Sequence, residues 1–174
     1  MKPKIHIRPI ISVLLLWSAL ALSCSERPLE PHSSENCPPI FPDYKEITVP
    51  VNIAPLNFRL EPTGKCKVLF SVKDYQFTLS VSDYVNIPLT KWRRLLSKAQ
   101  GDKVTVTIYT LDHDGWTTHR PFYWHVSPDP IDSHLVYRLI EPTYANWNEM
   151  GIYQRELSSF SEKEIIANDK TGHN

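Results

Sequence analysis

Hydrophobic and polar positions alternate with a period of two over much of the chain. In Tyr75-Gln-Phe-Thr-Leu-Ser-Val81 the odd positions are apolar and the even ones polar, and Lys103 to Thr110 places Val104, Val106 and Ile108 on one face. That period is the mark of half-buried antiparallel strands. Further short strands are predicted over Ile47–Pro50, Asn57–Leu60, Lys67–Val72, Tyr84–Pro88 and Thr117–Val126, separated by turn signals such as Lys73-Asp74 and Asp112-His-Asp-Gly-Trp116. One segment changes period. From Thr90 to Gln100, Trp92, Leu95, Leu96 and Ala99 fall at i, i+3, i+4 and i+7, predicting a helix capped by Thr90 and ended by Gly101. Lys91, Arg93, Arg94 and Lys98 then form its solvated face.

Short strands at roughly ten-residue spacing, with one helix inserted, predict a mainly β protein: a small immunoglobulin- or fibronectin-like β-sandwich over residues 40–127. Ser127-Pro-Asp-Pro-Ile-Asp132 reads as a rigid linker. Strands over 135–140, 151–157 and 163–167 follow, the pattern of an incomplete propeller-like β segment in 128–174. Their apolar residues face both ways, so the segment is not expected to cover itself.

The N-terminus is of another kind. Lys2, Lys4 and Arg8 precede an uncharged run from Ile10 to Leu22, too short as a helix to cross a hydrocarbon core of about 30 Å. Ala21-Leu22-Ser23-Cys24 resembles the lipobox of bacterial lipoproteins, which implies that residues 1–23 are a signal peptide and that Cys24 is acylated. Lipid chains, at about 0.8 kcal/mol per buried methylene, would hold the chain to a membrane without a spanning helix. The alternative is an ordinary signal peptide cut near Ala21, with Cys24 a thiol. Residues 24–39, rich in Ser, Glu and Pro, have no apolar period and read as a flexible tether.

Composition refines this picture. Lys+Arg and Asp+Glu are 19 each, but the signal segment takes three cations and no acid, leaving a formal net of −3. A mildly acidic chain without a basic block argues against nucleic-acid binding. With Cys24 lipidated, Cys37 and Cys66 remain, either a disulfide or two thiols.

No nucleophile elbow, phosphate loop, His-Glu-x-x-His or Cys-x-x-Cys occurs, so no enzyme activity, metal or cofactor is expected. His113, His119 and His125 are spaced by six, matching no zinc pattern. Trp116, Tyr123, Trp124 and Trp147 are candidates to stack on sugar rings, with core packing as the competing reading.

Three stretches carry a family resemblance: PPIFPDYKEITVPVNIAPLNF (38–58), PIDSHLVYRLIEPTYANWNEMGIYQRELSSF (130–160) and EIIANDKTGHN (164–174). They resemble the N-terminal region of exported Bacteroidetes proteins with a TolB-like β-propeller, often labelled cytochrome c biosynthesis proteins. The resemblance implies a haem c signature and propeller blades beyond this point in longer relatives, so the chain reads as a truncated or split member, without haem of its own. The expectation is a cell-envelope lipoprotein acting as a non-catalytic interaction or scaffold module, with a β-propeller or other envelope protein as partner. The alternative is a glycan-binding surface lipoprotein.

Overall fold

A computed structural model describes residues 32–61, 64–140 and 150–170. These described residues belong to one compact unit. The fold is mainly β, with thirteen strands among the described residues and a single α-helix.

The largest sheet is built around β8 (Lys103–Asp112). One edge of β8 pairs antiparallel with β5 (Cys66–Val72), which pairs in turn with β6 (Tyr75–Val81). The other edge takes β9 (Gly115–His119) and β10 (Phe122–Ser127), two halves of one returning strand. Their registers on β8 differ by one residue, because the chain bulges at Arg120-Pro121, where proline has no N–H to offer a ladder. β1 (His32–Ser34) runs parallel to β9, and β3 (Ile47–Pro50) parallel to β10. A second, short sheet is formed by β2 (Ile40–Phe41), β4 (Phe58–Leu60) and β7 (Tyr84–Val85) in that order.

This connectivity is that of an immunoglobulin-like sandwich: β2, β4 and β7 occupy the A, B and E positions, while β5, β6, β8 and β9–β10 occupy C, C′, F and G. The short sheet covers only part of the large one. The helix α1 (Leu89–Ala99) completes the covering layer, packing on β5, β6, β8 and β10 with Trp92, Leu95, Leu96 and Ala99 buried. Its start differs from the sequence expectation. Pro88 is the N-cap, and no side chain caps it, since the helix begins one residue before Thr90. Gly101, at φ +71°, ends it in the left-handed region that favours glycine.

The core is one cluster of twenty buried residues between Ile40 and Val126. Phe58, Phe122, Trp92 and Phe70 surround Trp124, with ring centroids 5.6 to 6.4 Å from its own. Both buried indoles are satisfied: Trp92 Nε1 donates to Ile53 O and Trp124 Nε1 to Tyr44 O, each at 2.7 Å. The irregular stretch between β2 and β4 is thereby tied to the core.

Part of the expected tether differs. His32–Ser34 is an edge strand, Cys37 packs against the core and Pro38 is buried. An edge strand needs backbone ladder bonds rather than an apolar period, which is why a polar segment could take this place unannounced. Cys24 and the rest of the signal and tether segments lie outside the described residues.

Beyond the sandwich, β11 (His134–Leu139), β12 (Gly151–Glu156) and β13 (Glu162–Ala167) form a three-stranded antiparallel meander. Its ladder breaks register between Ile152 and Tyr153. Beside that irregularity the strands crowd: a Cβ at Gly151 would stand 2.8 Å from Ile166 O, so β12 and β13 can approach only with glycine there. The segment read as a rigid linker is bonded to the sandwich. Asn52 Nδ2 donates to Ile131 O at 2.8 Å, and Ile131 N donates to Asn52 Oδ1 at 2.9 Å. Ala54 N donates to Leu157 O at 2.8 Å, joining the meander's far turn to the same stretch.

Candidate functional site

The aromatic candidates separate by burial. Trp124 is 0% exposed and is a core residue, not a stacking platform. The reason lies in register: Phe122, Trp124 and Val126 alternate inward on β10 and face the short sheet and α1. Trp116 and Tyr123 are half-buried on the sheet, and each holds a lysine over its ring, Lys67 at 4.5 Å and Lys103 at 4.0 Å from the centroid. Seven residues of strand at about 3.3 Å each separate them, too far to clasp one sugar ring. Trp147 lies outside the described residues.

The structure does not join Cys37 to Cys66. Cys66 starts β5, whose neighbours in order are β8, β9 and β1, and Cys37 follows β1. Three strand spacings of about 4.8 Å exceed the Cα separation a disulfide allows. The Cys37 thiol donates weakly to Pro38 O at 3.6 Å. Burial pushes both thiols up from their ordinary pKa; at Cys37 neighbouring Lys45 opposes this without cancelling it.

The side chains of Asp112 and His119 bond within the β8–β9 hairpin. Asp112 Oδ1 accepts from Asp114 N at 2.9 Å, closing the turn. His119 bonds Thr110 Oγ1 through Nε2 at 2.8 Å and Asn36 O through Nδ1 at 3.3 Å, fastening the segment after β1. Among the described residues no three His, Cys, Asp or Glu side chains converge as a metal site. An open cleft of about 600 Å³ lies where the edge strand is interrupted between β1 and β3, beside Cys37, Lys45, Glu46 and Arg120. Two carboxylates line it, Glu35 and Glu46, and Glu46 Oε1 accepts from Tyr123 N at 3.0 Å.

The meander is different. Eight of the ten large apolar side chains exposed among the described residues fall between Leu135 and Ile166, and Leu135, Val136 and Ile165 are each more than half exposed. Register and alternation divide them. One face carries Leu135, Tyr137, Leu139, Tyr153, Arg155 and Glu162. There Tyr137 and Tyr153, directly opposed, stack at 5.9 Å, and the Tyr137 hydroxyl donates to Glu162, which raises its pKa. Arg155 lies 4.0 Å from the same carboxylate. The other face carries Val136, Ile152 and Ile166, with Arg138, Gln154 and Lys163 among them. The first face has a self-satisfied aromatic and ionic layer. The second has no such layer, and its branched apolar side chains Val136, Ile152 and Ile166 stand exposed between Arg138, Gln154 and Lys163. Among the described residues of the meander only Met150, Gly151 and Ala167, at one end, are buried.

Comparison of the chain with family models, with curated proteins and with solved structures gives no match in any of the three. No helix among the described residues is long and apolar enough to cross a membrane.

Proposed function

We propose that this chain is a lipid-anchored protein of the cell envelope, held by an acylated Cys24, whose folded part is a non-catalytic interaction module. The exposed apolar meander carries the reading. A natural monomer rarely leaves so many branched apolar side chains open on one small sheet, and exposed apolar surface of that kind marks protein contacts. The resemblance to the region preceding a TolB-like propeller suggests a β-propeller as the partner. Glycan stacking has less support, since Trp124 belongs to the core and Trp116 and Tyr123 are covered on one side and far apart.

Fractionation of cell envelopes tests both parts. The wild-type chain should sediment with membranes in a complex larger than itself, with acyl mass on Cys24. Cys24→Ala should move to the soluble fraction. Ile152→Glu with Ile166→Glu should stay membrane-bound but run as a monomer in detergent. A wild-type chain without acyl mass, running as a monomer, would overturn the proposal.

A further inference from the structure

The sheet edges of this protein are unequally guarded. On one side of the large sheet the edge is split into β1 and β3, three and four residues long, and β3 ends in Pro50. The meander's edge strands carry Arg138 on β11 and Glu162, Lys163 and Glu164 on β13. Short length, proline and charge are the devices that keep edges from pairing. The opposite edge of the large sheet has none of them. β6 is seven residues long, unbroken, and reads Tyr-Gln-Phe-Thr-Leu-Ser-Val, without charge, proline or glycine. Among the described residues β5 is its only ladder partner.

Its hydrogen-bonding groups can be assigned. Lys73-Asp74 is a two-residue loop, so Val72 and Tyr75 form the closing pair that exchanges both backbone bonds. Alternation then turns Tyr75, Phe77, Leu79 and Val81 toward β5, and leaves the N–H and C=O groups of Gln76, Thr78 and Ser80 pointing outward. The inward side chains Tyr75, Phe77, Leu79 and Val81 stay half-exposed, as they would in a sheet one strand short.

Charge selects the occupant. Along this edge α1 holds Arg94 over the Tyr75 ring at 4.7 Å and Lys91 over the Phe77 ring at 5.3 Å. Neither forms an ion pair among the described residues, whereas Lys98, one turn on, is matched by Asp74 at 3.1 Å. A second copy pairing antiparallel through β6 would bring its own Lys91 and Arg94 to the same side, cation against cation. We therefore infer that β6 accepts an extended strand from a different protein, with acidic side chains at the alternate positions that face Lys91 and Arg94. Backbone bonds to Gln76, Thr78 and Ser80 supply the attachment, and the two cations supply the selectivity. The inference rests on the sandwich alone and stands whether or not the meander has a partner.

The test uses the full chain in detergent and two synthetic heptapeptides, one alternating Glu with Thr and one alternating Lys with Thr, read by fluorescence anisotropy. The Glu peptide should bind saturably and the Lys peptide should not. Thr78→Pro removes an outward N–H while sparing the ladder to β5, and should abolish binding. Lys91→Glu with Arg94→Glu should weaken the Glu peptide by about tenfold or more and admit the Lys peptide. This charge swap decides the matter even if Thr78→Pro fails to fold. Absence of saturable binding, equal binding of both peptides, or binding indifferent to the swap overturns the inference. So does a dimer of the chain that Thr78→Pro dissociates, because the occupant would then be a second copy.

Discussion

The sandwich and the meander are both β-structure, yet they are stabilised in different ways. The sandwich has irregular strands, some only two or three residues long, but they enclose one continuous cluster around Trp124. The meander has three six-residue strands with one break of register, between Ile152 and Tyr153, and nearly every apolar side chain on them meets solvent. Ladder regularity and burial are thus separable properties. In the sandwich, burial fixes the strands and tolerates interruptions such as the Arg120-Pro121 bulge. In the meander, backbone bonds, the Tyr137–Tyr153 stack and the Glu162 contacts keep the sheet ordered while its second face stays open. A region ordered without burial is one that can bury surface later, against something else.

The largest expected effect breaks the sandwich and leaves the meander's share small. Trp124→Ala removes a 0% exposed indole, four aromatic contacts and the bond to Tyr44 O, and should cost about 3–5 kcal/mol in chemical denaturation. Ile166→Ala, on an equally regular strand, should cost no more than about 0.5 kcal/mol. If Ile166→Ala matched a core substitution in the isolated chain, its face would be covered and the contrast between the regions would fail.

The chain's own pattern announced the elements better than their roles. Alternation in Tyr75–Val81 and Lys103–Thr110 located β6 and β8, and the Trp92/Leu95/Leu96/Ala99 spacing located α1, because in each case burial of one face imposes a period. β1 was invisible: a polar edge strand is chosen by the vacant edge of β9, a tertiary cause that leaves no local period. The Cys37–Cys66 bridge was unsupported for a related reason, since pairing even cysteines ignores how many strands lie between them. For Trp124 the residue type suggested a ligand platform, while the inward parity of Phe122 and Val126 placed it in the core. The meander's openness was legible, since residues such as Val136, Leu139 and Ile152 alternate to both faces of a sheet too small to cover either. The β6 edge site had a sequence signal too, an uncharged seven-residue strand, but only the ladder shows which side of it is vacant.

A smaller effect tests how the two regions are fastened. Asn52 bonds both backbone groups of Ile131 and Gln100 Nε2 donates to Pro128 O at 3.2 Å, so two side chains of the sandwich fasten the connection before β11, Asn52 through two bonds. Asn52→Ala should cost about 1–2 kcal/mol locally, with limited proteolysis accelerated in residues 128–134. Amide protection in β5 and β8 should be unchanged. Loss of protection there would mean that the fastening also supports the core, and the two regions would have to be treated as one cooperative unit.

The smallest effect concerns the turns at the far ends of the two regions, each closed by a carboxylate. Glu156 accepts from Ser159 Oγ at 2.6 Å and from Ser158 Oγ at 2.7 Å, and these bonds, aided by the nearby His134 and Arg93, hold its pKa below the ordinary glutamate value. Asp74, in the β5–β6 turn, is held low chiefly by its bond from Lys98 and by a backbone bond. For both groups the folded pKa is depressed. Their contribution is therefore complete above the unfolded value, near 4, and is lost as pH falls through the folded value. Taking the protein from about pH 5 to about pH 3 should lower amide protection, taken relative to the intrinsic exchange rate at each pH, around Ser158–Ser161, where Glu156 N also donates to Ser161 O at 2.9 Å. Glu156→Gln should remove that acid response at the meander turn and leave the response at Lys73-Asp74 intact, with Asp74→Asn giving the converse. Two independent responses, each erased by its own substitution, would sharpen the separation of the regions. A single shared response, altered at both turns by either substitution, would show that acid acts on one unit and that the meander's order depends on the sandwich after all.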